Sequence, residues 1–312
     1  MSTPGSGRPN LVVLRALKLG DLLVAVPALK GLRRRFPEHR ILYAAPAWLR
    51  PLTDLVGPID ALLPTPGLDT PVPHPEGGVD IAANLHGNGP DSRLRLRELG
   101  ARQRVEHRSS ESFGPRWRDG MHERERWARL VSAHGAHADP LDVAIERPEA
   151  PAGTAGAAVI HVGAAYASRH WPVDRFAAVA RGLESDGTRV LFTGGAQDRD
   201  RALAAAGLAD LPRSRVLAGR AGLRELAGVI GHAAVLVSVD TGAAHLASAF
   251  GTPSAVIFGP APPEEWGPPP GPHRVLTDAA LRRGDAFADR PDPALLAVTA
   301  AEALAAARSV RR

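Results

Sequence analysis

Four residues that lie close together in the chain could bind a phosphate-bearing ligand. They are Asp240, Thr241, Gly242 and His245. The apolar run 234–239 before them predicts a strand buried on both faces, and 241–250 predicts the helix that follows. Unpaired N–H groups and the dipole at the start of such a helix favour an anion, and the glycine lets a phosphate approach the backbone.

The neighbouring elements place this turn at the edge of a parallel sheet. A second apolar run, Ser254–Phe258, follows the helix after Gly251 and Pro253, which makes a strand–helix–strand unit. Open sheets of this kind bind ligands beyond the carboxyl ends of their strands. A purely structural interpretation is also open, in which Asp240 caps the helix and His245 is a packed core histidine.

The composition limits the class of protein. The chain of 312 residues is long enough for two domains, and the lack of cysteine excludes disulfides and thiolate metal sites. No apolar run is long enough to span a membrane and the start of the chain is not a signal peptide, so we expect a cytoplasmic protein. The net charge of +5 favours anionic partners such as phosphates, acidic glycans or a membrane surface. Aromatic residues are few and not interleaved with arginine, so nucleic acid is not an expected partner.

A second acidic turn lies near the start of the chain. Leu11–Leu17 predicts a strand, Leu22–Arg35 predicts a helix from its leucine spacing, and Ile41–Ala45 predicts the next strand. Asp21 lies in the turn between the first two elements, directly after Gly20, at the carboxyl edge of the predicted sheet. The glycine-rich pattern of dinucleotide-binding folds is missing there, so no nicotinamide or flavin cofactor is expected.

Two further stretches of the first half could face a substrate. The strand predicted over Val79–Leu85 runs into the loop His86–Gly89, at the same edge of the sheet. The region 91–129 is rich in arginine and has little periodicity. It is either a solvated region of loops and helix or a flap that faces an acceptor or a membrane.

The strand and helix pattern restarts after a linker at 147–156, which is rich in proline, glycine and alanine. We therefore predict an α/β protein with domains at 1–150 and 151–312. The second half is predicted to alternate strands and helices over Ala158–Val162, Val173–Leu183, Arg189–Thr193, Asp198–Gly207 and Leu223–Gly231. An alanine-rich helix at 293–310 could pack back on the first domain.

Four segments of the sequence resemble glycosyltransferase family 9, the heptosyltransferases of lipopolysaccharide core assembly. The first, LVVLRALKLGDLLVAVPALKGLRRRFP, is similar to the family's opening strand, Gly-Asp turn and helix. The second half contains three more, in the family's order: VIHVGAAYASRHWPVDRFAAVA, LFTGGAQDRD and SVDTGAAHLASAFGTPSAVIFGPAPPEEWGPP. Four matches in order, spread over both halves, make the resemblance specific.

The resemblance implies the GT-B architecture, in which two Rossmann-like domains face each other across a cleft. The first domain would bind the acceptor and the second the nucleotide sugar, with ADP-heptose as the family's donor and no separate cofactor. The implied reaction is an inverting, metal-independent transfer to a glycan or glycolipid of the cell envelope. Peripheral contact with the inner membrane surface, at its cytoplasmic face, is implied with it.

The resemblance also implies roles for single residues. Asp21 matches the family's catalytic base, and Arg169 stands where the family often has a donor-binding lysine. The other donor-side candidates are Gly163, Ala164, Gln197, Asp240, Thr241, Gly242 and His245. The acceptor-side candidates are Lys18, Gly20 and His86.

This sequence departs from the lipopolysaccharide enzymes at donor positions. Ala164 and Ala165 stand where those enzymes bind phosphate with hydroxyl groups, and Gln197 stands near a glutamate that contacts the nucleoside. These departures bear on the identity of the donor and leave the base unchanged. Two other classes of function stay open: a nucleotide-sugar 2-epimerase of the same architecture and a non-catalytic nucleotide-sugar-binding protein.

Overall fold

Each half of the chain builds one parallel sheet in the computed structural model, which describes residues 7–311. The chain divides into two compact units, Met1–Glu146 and Arg147–Arg312. Every strand pair in the two described sheets is parallel, so the strands are joined by crossovers and their carboxyl ends share one edge. The predicted α/β class is confirmed.

The first unit holds a sheet of order β3-β2-β1-β4-β5. Its strands are β1 Asn10–Leu14, β2 Arg40–Ala45, β3 Ala61–Pro64, β4 Ile81–Asn84 and β5 Gln103–Val105. Its helices are α1 Leu19–Val24, α2 Val26–Arg35, α3 Arg50–Thr53, α4 Pro90–Glu98 and α5 Glu123–Ala133. The chain crosses from one side of β1 to the other between β3 and β4, so the crevice between β1 and β4 is the switch point of this sheet.

The opening helix is not the single helix predicted over Leu22–Arg35. The chain forms α1 and α2, which meet at Ala25, because Pro27 in the first turn of α2 has no N–H to continue the helical hydrogen bonds. Helix α1 begins at Leu19, three residues earlier than predicted. As a result, Asp21 lies inside the first turn of a helix rather than in the loop before one.

The arginine-rich region 91–129 contains most of α4, the short strand β5 and the start of α5. The region therefore contains both loops and helix, and β5 was not predicted. A connection of irregular structure, 106–122, joins β5 to α5.

The second unit holds a sheet of order β10-β9-β8-β6-β7. Its strands are β6 Ala158–His161, β7 Val190–Thr193, β8 Val235–Val239, β9 Ser254–Ile257 and β10 His273–Leu276. Its helices are α6 Val173–Ser185, α7 Arg199–Leu208, α8 Leu223–Gly231, α9 Gly242–Phe250, α10 Pro263–Trp266, α11 Pro293–Ala297 and α12 Ala300–Val310. The switch point of this sheet lies between β6 and β8, which are paired neighbours.

The last helix is also divided. The predicted helix 293–310 forms α11 and α12, because Thr299 adopts an extended backbone and caps α12 with its hydroxyl on the N–H of Glu302. The apolar face of α12 lies in the core of the second unit. Within residues 7–311, no helix is both long enough and apolar enough to cross a bilayer.

Candidate active site

The switch point of the second unit brings two of the predicted donor segments together. Gly163 and Ala164 follow β6, and Asp240 and Thr241 follow β8, at the carboxyl ends of two paired strands. Parallel sheets that are wound in both directions leave a crevice at this point, where the two loops separate. A crevice of this kind is the position that the sequence predicts for the ligand site.

Asp240 is the centre of this site, and its role differs from the predicted helix cap. The N-cap of α9 is Thr241, so Asp240 lies one residue before it, with only 7% of its surface exposed. Its carboxylate contacts two cationic or ionisable groups: Oδ2 lies 3.4 Å from Nε of Arg169, and Oδ1 lies 3.8 Å from Nε2 of His245. Asp240 is thus a buried ion-pair partner that lies one residue before the N-cap position.

Arg169 keeps its terminal nitrogens available for a ligand. The contact between its Nε and Asp240 has an ion-pair distance but not the angle of a hydrogen bond. Among the described residues of the second unit, neither Nη1 nor Nη2 of Arg169 has a hydrogen-bond partner, and a fifth of the side chain is exposed. A guanidinium held from one side by a carboxylate can still present its outer fork to an anion.

The start of α9 supplies the backbone donors. Thr241 is extended, with φ −152° and ψ 174°, and its hydroxyl donates to the carbonyl of Val239 at 3.3 Å. The hydroxyl is therefore not used to cap the helix, and the first turn begins with Gly242. His245 on the next turn is 8% exposed and meets Asp240 and the ring of Trp266, so it has a polar partner and is not a purely packed core residue.

The remaining donor-side candidates occupy different environments. Gly163 packs against Asp198, because a Cβ on Gly163 would clash with the Asp198 carboxylate and stand 3.0 Å from Nε2 of His161. Ala164 is buried, and its carbonyl accepts from Nε2 of His170 at 3.4 Å. Gln197 is exposed on the single turn Ala196–Asp198, and none of the described contacts joins it to Asp240. The structure thus groups Arg169, Asp240 and His245, whereas Gln197 is exposed and is not joined to Asp240 by a described contact.

In the first unit, Asp21 lies at the corresponding switch point. Its Oδ2 accepts the N–H of Lys18, the N-cap of α1, at 3.2 Å. Lys18 is exposed and Gly20 is half-buried within the same helical turn, while about a fifth of the Asp21 side chain faces outward. The carboxylate is therefore fixed at one oxygen and still accessible.

Arg15 is the partner of Asp21 that the sequence analysis missed. It directly follows β1, is 1% exposed, and its Nη2 lies 3.0 Å from Oδ1 of Asp21. Its Nε donates to the carbonyl of Asp21 at 2.6 Å, and its Nη1 donates to the carbonyl of Leu85. The available signal was a charged residue in an otherwise apolar strand-like run, which is unusual unless the charge is paired.

Arg15 is held from behind by α5. Its Nη2 lies 3.4 Å from Oε2 of Glu123, and its guanidinium carbon lies 4.7 Å from the ring centre of Trp127. The same Oε2 accepts the indole N–H of Trp127 at 2.8 Å, and Oε1 accepts Nε of Arg126 at 2.7 Å. Asp21, Arg15 and Glu123 form one buried, hydrogen-bonded network in which each charge is paired.

His86, the acceptor-side histidine, lies beside Arg15 after β4. Burial, with the charge of Arg15 adding to it, lowers the pKa of His86 from 6.5 to about 4. Its Nδ1 is buried and has no hydrogen-bond partner among the described residues. The ring is therefore neutral near pH 7 and is a weaker base than an ordinary histidine.

The connection 106–122 packs over the same network. The rings of His107 and Trp117 lie 4.9 Å apart, and the guanidinium carbon of Arg126 stands 4.0 Å from the ring centre of Trp117. Arg93 on α4 holds the other side of this connection through Oε2 of Glu106 at 3.1 Å and the carbonyl of His107 at 3.0 Å. The connection is thus anchored to α4 by Arg93 and to α5 by Arg126.

Two all-parallel α/β units, each with polar side chains at its switch point, define the class: the fold is that of the GT-B glycosyltransferases. Residues 132–279 match the family model for glycosyltransferase family 9 (heptosyltransferase), which covers most of the second unit. The resemblance found in the sequence is therefore confirmed over residues 132–279, and this family 9 domain supports a glycosyltransferase. The match does not extend to Asp21.

Solved structures show the same fold over nearly the whole chain. A glycosyl transferase family 9 protein from Veillonella parvula is 20% identical, with a TM-score of 0.78 and 97% of both chains covered. The E. coli ADP-heptose lps heptosyltransferase II is 20% identical, with a TM-score of 0.75 and 97% of this chain and 98% of that chain covered. E. coli heptosyltransferase WaaC with ADP is 18% identical, with a TM-score of 0.66 over 85% of this chain and 92% of that one. No curated protein matches the sequence.

Proposed function

We propose that the protein is an inverting, metal-independent glycosyltransferase that moves a sugar from a nucleoside diphosphate to a hydroxyl of a cell-envelope glycan or glycolipid. ADP-heptose is the proposed donor, because structurally similar proteins are named for it or contain ADP. The observation that carries the proposal is the buried pair of Arg169 and Asp240 at the first turn of α9.

The donor diphosphate would bind to the second unit. The first N–H groups of α9 and the terminal nitrogens of Arg169 supply hydrogen bonds and positive charge, and Gly242 has no side chain to keep a phosphate away. Negative charge grows on the diphosphate as the bond to the sugar breaks. These fixed donors stabilise that charge without a metal ion.

Asp21 would act as the general base. The acceptor oxygen attacks the anomeric carbon, the bond from that carbon to the nucleoside diphosphate breaks, and the acceptor's proton passes to the Asp21 carboxylate. Attack from the face opposite the leaving group inverts the configuration. Asp21 suits this role because Lys18 and Arg15 hold its oxygens while part of the side chain stays accessible.

A membrane-bound acceptor would be reached through peripheral contact at the cytoplasmic face of the inner membrane. The support is Phe113, which is 75% exposed on the connection 106–122 and has exposed Arg108 and Arg116 near it in sequence. An apolar ring beside cationic side chains suits an anionic lipid surface. Phe113→Ser should reduce co-sedimentation with vesicles of phosphatidylglycerol, whereas equal sedimentation of variant and parent would contradict this contact.

The donor site is tested by calorimetry with ADP. Gly242→Val should abolish ADP binding, because its side chain would occupy the space of the phosphate, while the melting temperature stays close to the parent's. Gly207→Val is the matched control, since a Cβ at this exposed helical position meets nothing within 4 Å. ADP binding by Gly242→Val at parental affinity would place the diphosphate elsewhere.

The reaction itself is tested with ADP-heptose and heptose-free lipopolysaccharide. The proposal predicts ADP release that depends on the acceptor and a glycosylated product of inverted configuration. An epimerised nucleotide sugar formed without any acceptor would instead identify an epimerase, and nucleotide-sugar binding with neither product would identify a binding protein.

A further inference from the structure

Ser168, the residue before Arg169, is completely buried and is tied to a distant segment by three hydrogen bonds. Its N–H donates to the carbonyl of Ala288 at 3.1 Å, and its hydroxyl donates to the carbonyl of Ala286 at 2.6 Å. Its own carbonyl accepts the N–H of Asp292 at 2.9 Å. All three polar groups of Ser168 are therefore satisfied by residues 286–292, which we call the strap.

The strap is itself fixed by one buried carboxylate. Asp292 is 4% exposed, and its Oδ1 accepts the N–H of Ala294 at 2.9 Å, which caps α11. Its Oδ2 accepts the N–H groups of Arg283 and Gly284 at 3.1 and 3.3 Å. A buried carboxylate with three backbone donors is a stable anchor, so both ends of the 283–292 turn are held at one point.

Arg169 is thereby constrained from two directions. Its backbone follows Ser168 in the single turn Ala167–Arg169, and its Nε faces the carboxylate of Asp240. The first constraint sets where the side chain starts, and the second sets which way the guanidinium fork points. Without the strap, the turn would keep only its own hydrogen bonds, such as the one from the N–H of Arg169 to the carbonyl of Tyr166 at 3.1 Å.

We propose that Ser168 and Asp292 are positioning residues for diphosphate recognition, because they hold the backbone from which Arg169 reaches the ligand. This inference rests on the proposed function, in which Arg169 binds the donor's diphosphate. It predicts that damage to the strap affects the diphosphate more than the rest of the nucleotide. It also predicts that damage to the strap weakens diphosphate binding only while Arg169 is present.

The test is calorimetry on the full chain with inorganic pyrophosphate, ADP and AMP. Ser168→Ala removes one hydrogen bond and should weaken pyrophosphate and ADP binding by about fivefold to twentyfold, with AMP affinity changed less than about twofold. Asp292→Asn should act in the same direction. Ser185→Ala and Asp278→Asn are matched controls, since they remove a serine hydrogen bond and a capping carboxylate elsewhere in the unit, and both should bind like the parent.

The double variant separates positioning from a general loss of structure. In an Arg169→Ala background, Ser168→Ala should cause no further loss of pyrophosphate affinity, because the group that it positions is gone. Parental affinity in Ser168→Ala, an equal loss for AMP, or additive losses in the double variant would each overturn the inference. A parent chain that binds neither ADP nor pyrophosphate would overturn the proposed donor site and this inference together, whereas the other outcomes leave the donor site intact. If Asp292→Asn fails to fold, Ser168→Ala decides alone.

Discussion

The side chain of Arg15 binds both the carboxylate and the backbone carbonyl of Asp21. The Nη2 group of Arg15 lies 3.0 Å from Oδ1 of Asp21, and the Nε group donates to the Asp21 carbonyl at 2.6 Å. Since Arg15 is itself fixed by Glu123 and Trp127, the direction of the Asp21 carboxylate is set by residues far away in the sequence.

Replacing Asp21 with Asn tests the proposed base directly. Asparagine keeps an oxygen for the N–H of Lys18, so the helix start should persist, but it cannot take up the acceptor's proton. Turnover should fall by about two to four orders of magnitude while ADP affinity, measured by calorimetry, stays at the parental value. Turnover near the parental rate would mean that Asp21 is not the base.

Arg15→Lys should lower turnover by roughly tenfold to a hundredfold, because lysine keeps the charge but loses the geometry that orients Asp21. If Arg15 acts through Asp21, the same change in an Asp21→Asn background should cost nothing more. Arg102→Lys is the control, as the Arg102 side chain is 89% exposed in the same unit. Additive losses in the double variant would indicate a separate role for Arg15.

His86 should not replace Asp21 as the base. With a pKa of about 4 the ring is already unprotonated at neutral pH, and it accepts a proton only weakly. We expect His86→Gln to keep turnover within about threefold of the parent between pH 6 and 8, measured as ADP release. A loss in His86→Gln as large as that expected for Asp21→Asn would reverse the assignment of the two residues.

Acid should destabilise the fold through its buried histidines. Burial lowers the pKa of His161 from 6.5 to about 4, and His86 and His107 are lowered to a similar value. The unfolded chain therefore binds protons that the folded chain does not, so stability is highest above about pH 6.5 and is lost as the pH falls towards 4.

Denaturant unfolding at pH 5 and pH 7 measures this effect. His161→Asn should make the difference between the two free energies of unfolding smaller, because one of the groups that takes up a proton on unfolding is removed. His74→Asn, at an exposed position, should leave the difference unchanged. The prediction fails if the parent and His161→Asn show the same pH dependence.

Gly163→Ala should damage the donor loop, whereas Gly207→Ala should not. A Cβ on Gly163 would clash with the Asp198 carboxylate, and Asp198 is needed to accept the N–H of Gly195 at 2.8 Å. We expect Gly163→Ala to lower the melting temperature by several degrees, which corresponds to about 1–3 kcal/mol of overpacking. Gly207 lies in open space within α7, so alanine there should be neutral or stabilising. A melting temperature for Gly163→Ala equal to the parent's would contradict this packing argument.

The elements with strong patterns could be predicted from the sequence. The runs that form β1, β6 and β8 are mostly apolar because these strands are buried on both faces in the middle of a sheet. The edge strands β5 and β10 were missed, since each is short and carries polar residues towards solvent. The breaks at Ala25 and Thr299 were missed as well, because periodicity continues through a break that only a proline or a capping side chain imposes.

The candidate site could be predicted in part for the same reason. The residues that come after a predicted strand can be read from the sequence, so Asp21 and Asp240 could be named as candidates. Partners supplied by distant elements have no local signal, so the link from Asp21 through Arg15 to Glu123 and the link from Ser168 to Asp292 appear only in three dimensions.

The order of the strands has a consequence for how the chain is made. The first strand of each unit is a central strand of its sheet: β1 pairs with β2 and then with β4, and β6 pairs with β7 and then with β8. During synthesis, the second edge of β1 stays unpaired until Ile81–Asn84 leaves the ribosome, and β6 waits in the same way for Val235–Val239. Each nascent unit therefore exposes an apolar strand edge for about half of its translation, which is the interval in which a chaperone would protect it from aggregation.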